Sequence, residues 1–264
     1  MGSIARDFTP DDLEPHLEAR GLTGCIAVQA RTHERENEYL LGLAEAHRSI
    51  LGVVGWLDVA APALPQRLDE TADHPRLVGF REILQGEPET KFLNADFIAG
   101  LRLLGERGYA YDVLIHSTQL PATAELVRSA RPDQRLVLDH LGKPDIKGGR
   151  LTDWAPRIRS LAKDHPNLHC KLSGMVTEAA PGWTADDLRP YMETVIDAFG
   201  PKRVMYGSDW PVCLLNAKDY AAVHDVAFAF VSTLGADAAS DIFGGNAERF
   251  YRLTDRRPAG ASVR

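Results

Sequence analysis

The sequence is poor in cysteine: only Cys25, Cys170 and Cys213 occur, an odd number with no C-x-x-C pair. That excludes a disulfide framework and the usual structural zinc spacings, and makes a reducing cytoplasm the expected setting. No run of 18 or more apolar residues is present, and Met1 to Thr9 lack the apolar stretch of a secretory signal, so neither membrane insertion nor export by that route is expected. An excess of positive charge is missing too. The 30 basic residues are outnumbered by 37 acidic ones for a net charge of -7, which leaves no basic stripe for a phosphate backbone and makes nucleic acid an unlikely class of partner. What remains, 264 residues of which 44% are hydrophobic and 25% charged, is the composition of an ordinary globular chain long enough for one large domain.

Seven short apolar, β-branched runs punctuate the chain: Gly24 to Ala30, Ile50 to Val59, Leu77 to Leu84, Tyr109 to His116, Arg135 to Gly142, Leu168 to Met175 and Arg203 to Trp210. Segments with helical spacing lie between them, among them Ala95 to Arg107, Leu120 to Ala130 and Ala185 to Phe199, with Asn94 and Thr184 placed to cap. Alternating strands and helices imply a parallel α/β sheet. The first strand run is followed by Gln29-Ala30-Arg31-Thr32, without a glycine-rich phosphate turn, and no Walker lysine occurs. Dinucleotide and P-loop readings therefore lose their support, and a (β/α)8 TIM-like barrel fits better. Only seven strands are visible, however, and the first element, Asp11 to Arg20, reads as a helix, so the first strand is expected to be missing. The expected organisation is one barrel domain over 1–254 and a polar tail from Asp255 to Arg264.

In such a barrel the chemistry sits at the C-terminal strand ends. The polar residues there are Arg81 and Glu82, His116, Asp139 and His140, Lys171 and Ser173, Ser208 and Asp209. Strand alternation places His140 on the face of Leu136 and Leu138 and Asp139 on the other, so only one of the pair is expected at the mouth. Taken alone, a strand-end aspartate serves a turn as readily as a reaction, and a histidine is as readily structural as a ligand. Together, Asp209 and His140 are two groups able to hold a proton, a water or a metal, which is what a hydrolytic site needs.

The stretches Val53-Val54-Gly55-Trp56-Leu57-Asp58, Leu77-Val78-Gly79-Phe80-Arg81, Val137-Leu138-Asp139-His140-Leu141-Gly142-Lys143-Pro144, Cys170-Lys171-Leu172-Ser173-Gly174, Tyr206-Gly207-Ser208-Asp209-Trp210-Pro211-Val212 and Ile242-Phe243-Gly244-Gly245-Asn246-Ala247 together resemble the lactonase branch of the amidohydrolase superfamily. The likeness is to sugar-lactone hydrolases of the L-fuconolactone and L-rhamnonolactone type and runs from about Asp7 to Leu253. It implies a barrel and a carboxylic ester hydrolase. By position, Asp209 resembles the strand-eight aspartate that acts as general base or metal ligand. His140 resembles the strand-six histidine that polarises the carbonyl or binds metal. Arg81, Trp210, Lys171 and Ser173 correspond to substrate-binding positions.

Two departures from the family bear on function. The His-x-His pair of the family's first strand occurs nowhere, and Ile4 to Pro10 match what normally follows that strand by some thirty residues. Relatives also often carry histidine where Glu82 stands, and arginine or an aromatic where His116 stands. Both changes introduce metal-capable groups, and Glu82, His116, His140 and Asp209 resemble the four stations that surround the metal in metal-dependent members of the superfamily, which implies a candidate set for one divalent, zinc-like ion. The leading expectation is hydrolysis of a small carbohydrate-derived lactone, with Asp209 as base to water and His140 and Arg81 stabilising the oxyanion. The alternatives are a metal-dependent amidohydrolase or decarboxylase of the same superfamily, and a non-catalytic remnant. The particular lactone, and whether the chain acts as a monomer or a homo-oligomer, are left open.

Overall fold

A computed structural model of the chain describes residues 4–71 and 74–253; the tail expected from Asp255 onward lies outside them. Each of the seven apolar runs contains a strand: β1 Cys25–Val28, β2 Ile50–Gly55, β3 Leu77–Ile83, β4 Ala110–Leu114, β5 Leu136–Leu138, β6 His169–Leu172 and β7 Val204–Tyr206. They form one sheet in the order β1 to β7, every neighbouring pair parallel. The expected helices are also present, as Pro10–Glu18, Ala95–Glu106, Leu120–Ser129 and Ala185–Phe199. Asn94 Oδ1 accepts from the Phe97 amide at 2.8 Å, and Asp187 Oδ2 accepts from the Thr184 amide and hydroxyl at 2.7 and 2.8 Å, so both expected helix starts are closed by side chains. No helix among the described residues is long and apolar enough to cross a membrane.

The sheet curls. One guanidinium, that of Arg81 on β3, bonds both Gln29, just past β1, and Asp139, just past β5. In a flat sheet β1 and β5 would stand about 19 Å apart, four strand spacings of ~4.8 Å, too far for one side chain to bridge. The concave face is closed at one level by Val54, Val78, Ala110, Val137 and Met205, against Phe250 and Tyr251 of the helix Asn246–Tyr251. The convex face carries the main core, into which the outer helices pack Leu64, Phe97, Leu126, Ile158 and Val195. This is an α/β fold of TIM-barrel type. β1 and β7 are not paired with each other.

A local irregularity decides which residues of β3 face inward. Val53 pairs with Leu77 but Val54 pairs with Gly79, so Val78 is skipped in the register. Leu77 and Phe80 consequently join the outer core while Val78 joins the inner cluster. Beyond the irregularity Arg81 stands beside Asp112 and Glu82 beside Val113. Register partners in a parallel pair share a face, so Arg81 enters the interior and Glu82 leaves it.

Candidate active site

β5 ends at Leu138, and the chain then makes a tight turn over Asp139–Gly142. His140, Leu141, Gly142 and Lys143 all have left-handed φ, at 52°, 56°, 67° and 50°. Three of these residues carry a Cβ, and each costs about 1–2 kcal/mol in that region, so the turn persists only because its surroundings hold it. Trp154 Nε1 donates to the Leu141 carbonyl at 2.9 Å, the Lys143 amide donates to the His140 carbonyl at 2.7 Å, and Lys143 Nζ donates to Gln85 Oε1 at 2.9 Å. Lys143 Nζ also lies 3.1 Å from Glu178 Oε1.

The turn overrides strand alternation. Leu136 and Leu138 face the outer core while Asp139 enters the interior, yet His140 does not return to the outer side. Its Nε2 comes to 3.7 Å from Asp209 Oδ1. Only His140 of the pair reaches the mouth, as expected, but both residues lie on the concave side, because the strand stops before either of them and left-handed backbone redirects the second. Asp209 lies past the end of β7 and is itself left-handed, at φ 55°. Both side chains keep some solvent access, 11% for His140 and 17% for Asp209.

His140 Nδ1 is 2.8 Å from Ser173 Oγ, and the ring lies on Gly174, where a Cβ would come within 2.7 Å of its Cγ. Burial pushes the imidazole pKa below its ordinary value; the Asp209 and Asp139 carboxylates oppose this without reversing it. The neutral ring is thus favoured, a hydrogen-bond donor and acceptor held beside a carboxylate. Such a pair can take a proton from water and polarise a carbonyl.

Deeper on the concave face the charges are closed upon one another. Lys171 Nζ lies 2.5 Å from Asp112 Oδ2 and 2.7 Å from Asp139 Oδ1. Arg81 Nη1 donates to Asp139 Oδ2 at 2.8 Å, and its Nη2 bonds the Gln29 carbonyl. Tyr251 Oη donates to Asp112 at 2.9 and 3.0 Å. Both aspartates are fully buried. Burial alone would raise the Asp139 carboxyl, but the Lys171 and Arg81 cations outweigh it and hold Asp139 well below the usual carboxylate range. Asp112 is pushed the other way, upward, by burial that Lys171 only partly offsets.

The residues expected from the sequence therefore fall into three groups. His140, Asp209 and Ser173 come together, with Ser173 buried behind the ring. Arg81 and Lys171, expected at the substrate, instead direct their charges at buried carboxylates, because two interior anions require cations. Glu82 and His116 do not join the pair. Glu82 Oε1 is 2.9 Å from Lys91 Nζ on the opposite face of β3, and His116 is exposed just past β4. Trp210 is half-buried and meets Phe8 edge to face at 5.2 Å. Sequence reasoning missed Asp112, Tyr251 and Gln29. Asp112 left one signal, a charge between Tyr111 and Val113 in an otherwise apolar strand.

The four-residue metal set is not assembled. Zinc sites use three or four protein ligands. Among the described residues, the one group of three histidine, cysteine or acidic side chains with ligand atoms close enough together is Asp11, Glu14 and His47, far along the chain from the His140–Asp209 pair. The donor set at the mouth thus does not by itself fit a structural or catalytic zinc.

A parallel sheet curled around a polar interior, with a histidine and an aspartate facing each other beyond its C-terminal strand ends, defines the class: a TIM-barrel-type protein with the groups of a hydrolytic site. Residues 2–253 match the Amidohydrolase family, and the chain belongs to it. It is 42% identical to an L-fucono-1,5-lactonase of Burkholderia multivorans, over 100% of this chain and 91% of that protein. It is 36% identical to an L-fucono-1,5-lactonase of Burkholderia ambifaria, over 98% and 90%. A solved amidohydrolase structure from Burkholderia multivorans with bound zinc superposes with a TM-score of 0.91 at 41% identity, covering 96% of this chain and 91% of that one.

Proposed function

We propose that this protein hydrolyses a small carbohydrate-derived lactone of the L-fucono-1,5-lactone type. The observation that carries the reading is the approach of His140 Nε2 to 3.7 Å from Asp209 Oδ1 at the open end of the sheet, in a chain similar over its full length to L-fucono-1,5-lactonases. Asp209 accepts a proton from water as the water oxygen attacks the lactone carbonyl. The His140 N–H stabilises the negative charge that moves onto the carbonyl oxygen. The ring C–O bond then breaks, and Asp209 returns the proton to the leaving alkoxide, giving the open sugar acid. Arg81 and Lys171 act beneath the pair, through Asp139, and Trp210 forms a wall. The test is hydrolysis of L-fucono-1,5-lactone followed by proton release: Asp209→Asn should lower turnover at least about a hundredfold with an unchanged circular dichroism spectrum. Near-normal turnover would remove Asp209 from the role of base.

The zinc bound to the Burkholderia multivorans structure supports a second reading, in which a divalent ion assists the reaction. His140 and Asp209 fall short of the three or four protein ligands of a zinc site, so the reaction steps above are assigned to the two side chains alone. Elemental analysis of the purified protein, together with activity before and after a chelator, separates the two readings.

The finer architecture we propose is one barrel domain over 1–254 with the strand position between β7 and β1 unfilled. Among the described residues no strand pairs with the outer edge of either, which supports it. A version extended by a family-like first strand bearing His-x-His should melt at a higher temperature and hydrolyse lactone faster; equal values for both versions would contradict the gap. A cytoplasmic setting accords with three cysteines that are all free thiols.

A further inference from the structure

We propose that Ser173 is a positioning residue for this reaction: its hydroxyl donates to His140 Nδ1 and so holds the ring hydrogen on Nε2, where it faces Asp209 and the carbonyl oxygen of the substrate. The inference rests on the lactonase reading for its kinetic consequence, but the hydrogen position is measurable without it. Three observations lead there. Ser173 is only 3% exposed, so its hydroxyl serves the interior and not the substrate. Ser173 Oγ lies 2.8 Å from Nδ1, a good hydrogen-bond distance in which either atom could donate. The other ring nitrogen decides the direction: Nε2 points at a carboxylate oxygen 3.7 Å away, and a carboxylate only accepts. The hydrogen therefore belongs on Nε2, Nδ1 carries the lone pair, and the serine must donate.

Two glycines keep the pair from swinging apart. A Cβ at position 174 would lie 2.7 to 2.8 Å from Cγ, Cβ and Nδ1 of His140, and a Cβ at position 207 would lie 3.0 Å from Ser173 Cβ. The ring and the hydroxyl are thus packed against backbone on both sides. A gap of 3.7 Å is too long for a direct hydrogen bond, so the Nε2–H is aimed without being consumed, and a substrate oxygen can take it.

The experiment labels histidine with 15N and reads the His140 ring nitrogens of the full chain by long-range 1H–15N correlation, beside the kinetics. The wild-type protein should show a hydrogen-bearing Nε2 and a bare, hydrogen-bonded Nδ1. Ser173→Ala should lose that single form and lower kcat about ten- to a hundredfold, the scale of removing a partner that orients an imidazole, with KM nearly unchanged. Ser173→Cys, a weaker donor of similar shape, should fall between. Hydrogen on Nδ1 in the wild type, or a Ser173→Ala variant that keeps the Nε2–H form and its kcat, would overturn the proposal. Failure of the lactonase reading shows itself separately, as absent hydrolysis by a wild-type chain whose ring still carries its hydrogen on Nε2.

Discussion

Two charged clusters share the concave side of the sheet, and one peptide bond separates them at Asp139 and His140. The deeper one, Arg81, Asp139, Lys171, Asp112 and Tyr251, is buried and closed: two carboxylates meet two cations and a phenol within hydrogen-bonding distance. The outer one, His140 with Asp209, keeps partial solvent access and a separation of 3.7 Å that no hydrogen bond fills. The difference is one of pairing. A buried charge must be paired to be tolerated, so the deep cluster turns its charges on itself. The outer pair can stay unsatisfied because water reaches it, and an unsatisfied donor beside a base is what a hydrolytic step uses. The deep cluster serves the outer one by anchoring Asp139, the residue immediately before the left-handed turn that presents His140.

Breaking the deep cluster should have the largest effect on folding. Lys171→Met leaves Asp112 and Asp139 sharing the single remaining cation, and the loss of one partner from a buried ionic group costs about 3–5 kcal/mol. Denaturant unfolding should show that loss, whereas Asp209→Asn, in the open pair, should keep the wild-type midpoint while turnover collapses. A Lys171→Met protein as stable as wild type would mean that the interior charges contribute little. At the junction between the clusters, Gly174→Ala should cost about 1–3 kcal/mol, since the residue is left-handed at φ 66° and its new Cβ would meet the His140 ring. Turnover should fall with it, and a wild-type melting temperature and rate would show that the ring has room to move.

Acid sharpens the contrast with the smallest effect. The His140 pKa is depressed from the ordinary 6.5, so below that pH the unfolded chain binds a proton at this ring that the native chain resists. Stability is therefore fully present above about pH 6.5 and declines as pH falls toward the native pKa, at most by about 1.4 kcal/mol per pH unit for this one group. Asp139 is depressed from 3.8, so its contribution is present above that pH and is lost only under far stronger acid. The difference in unfolding free energy between wild type and His140→Gln should thus change between pH 7 and 5, while that between wild type and Asp139→Asn stays level over the same range. A level His140 comparison would show that burial does not disfavour the charged ring.

The strands were legible because burial on both faces of a parallel sheet demands unbroken apolar runs, and each run contained one. The open pair was legible as well, since Asp209 and His140 stand beyond strand ends where a barrel collects its chemistry. The buried partners of Arg81 and Lys171 were not legible, because a cation near a strand end looks the same in sequence whether it meets a ligand or an internal carboxylate. Their carboxylate partners lie 58 residues from Arg81 and 32 and 59 residues from Lys171, with Asp112 brought in from β4 and Asp139 from the end of β5. Tyr251 was out of reach for the same reason, its contact with Asp112 spanning 139 residues.

Composition and periodicity by themselves determined that this chain folds as a parallel α/β sheet, with polar groups collected beyond the strand ends, because hydrophobic period and charge balance are properties of local sequence. Which face each strand-end residue takes was decided only in three dimensions. A skipped residue at Val78 turned Arg81 inward and Glu82 outward, and a left-handed turn after Leu138 brought His140 round to Asp209. Both are backbone departures from regular geometry that cost free energy locally and persist only because contacts from distant parts of the chain hold them.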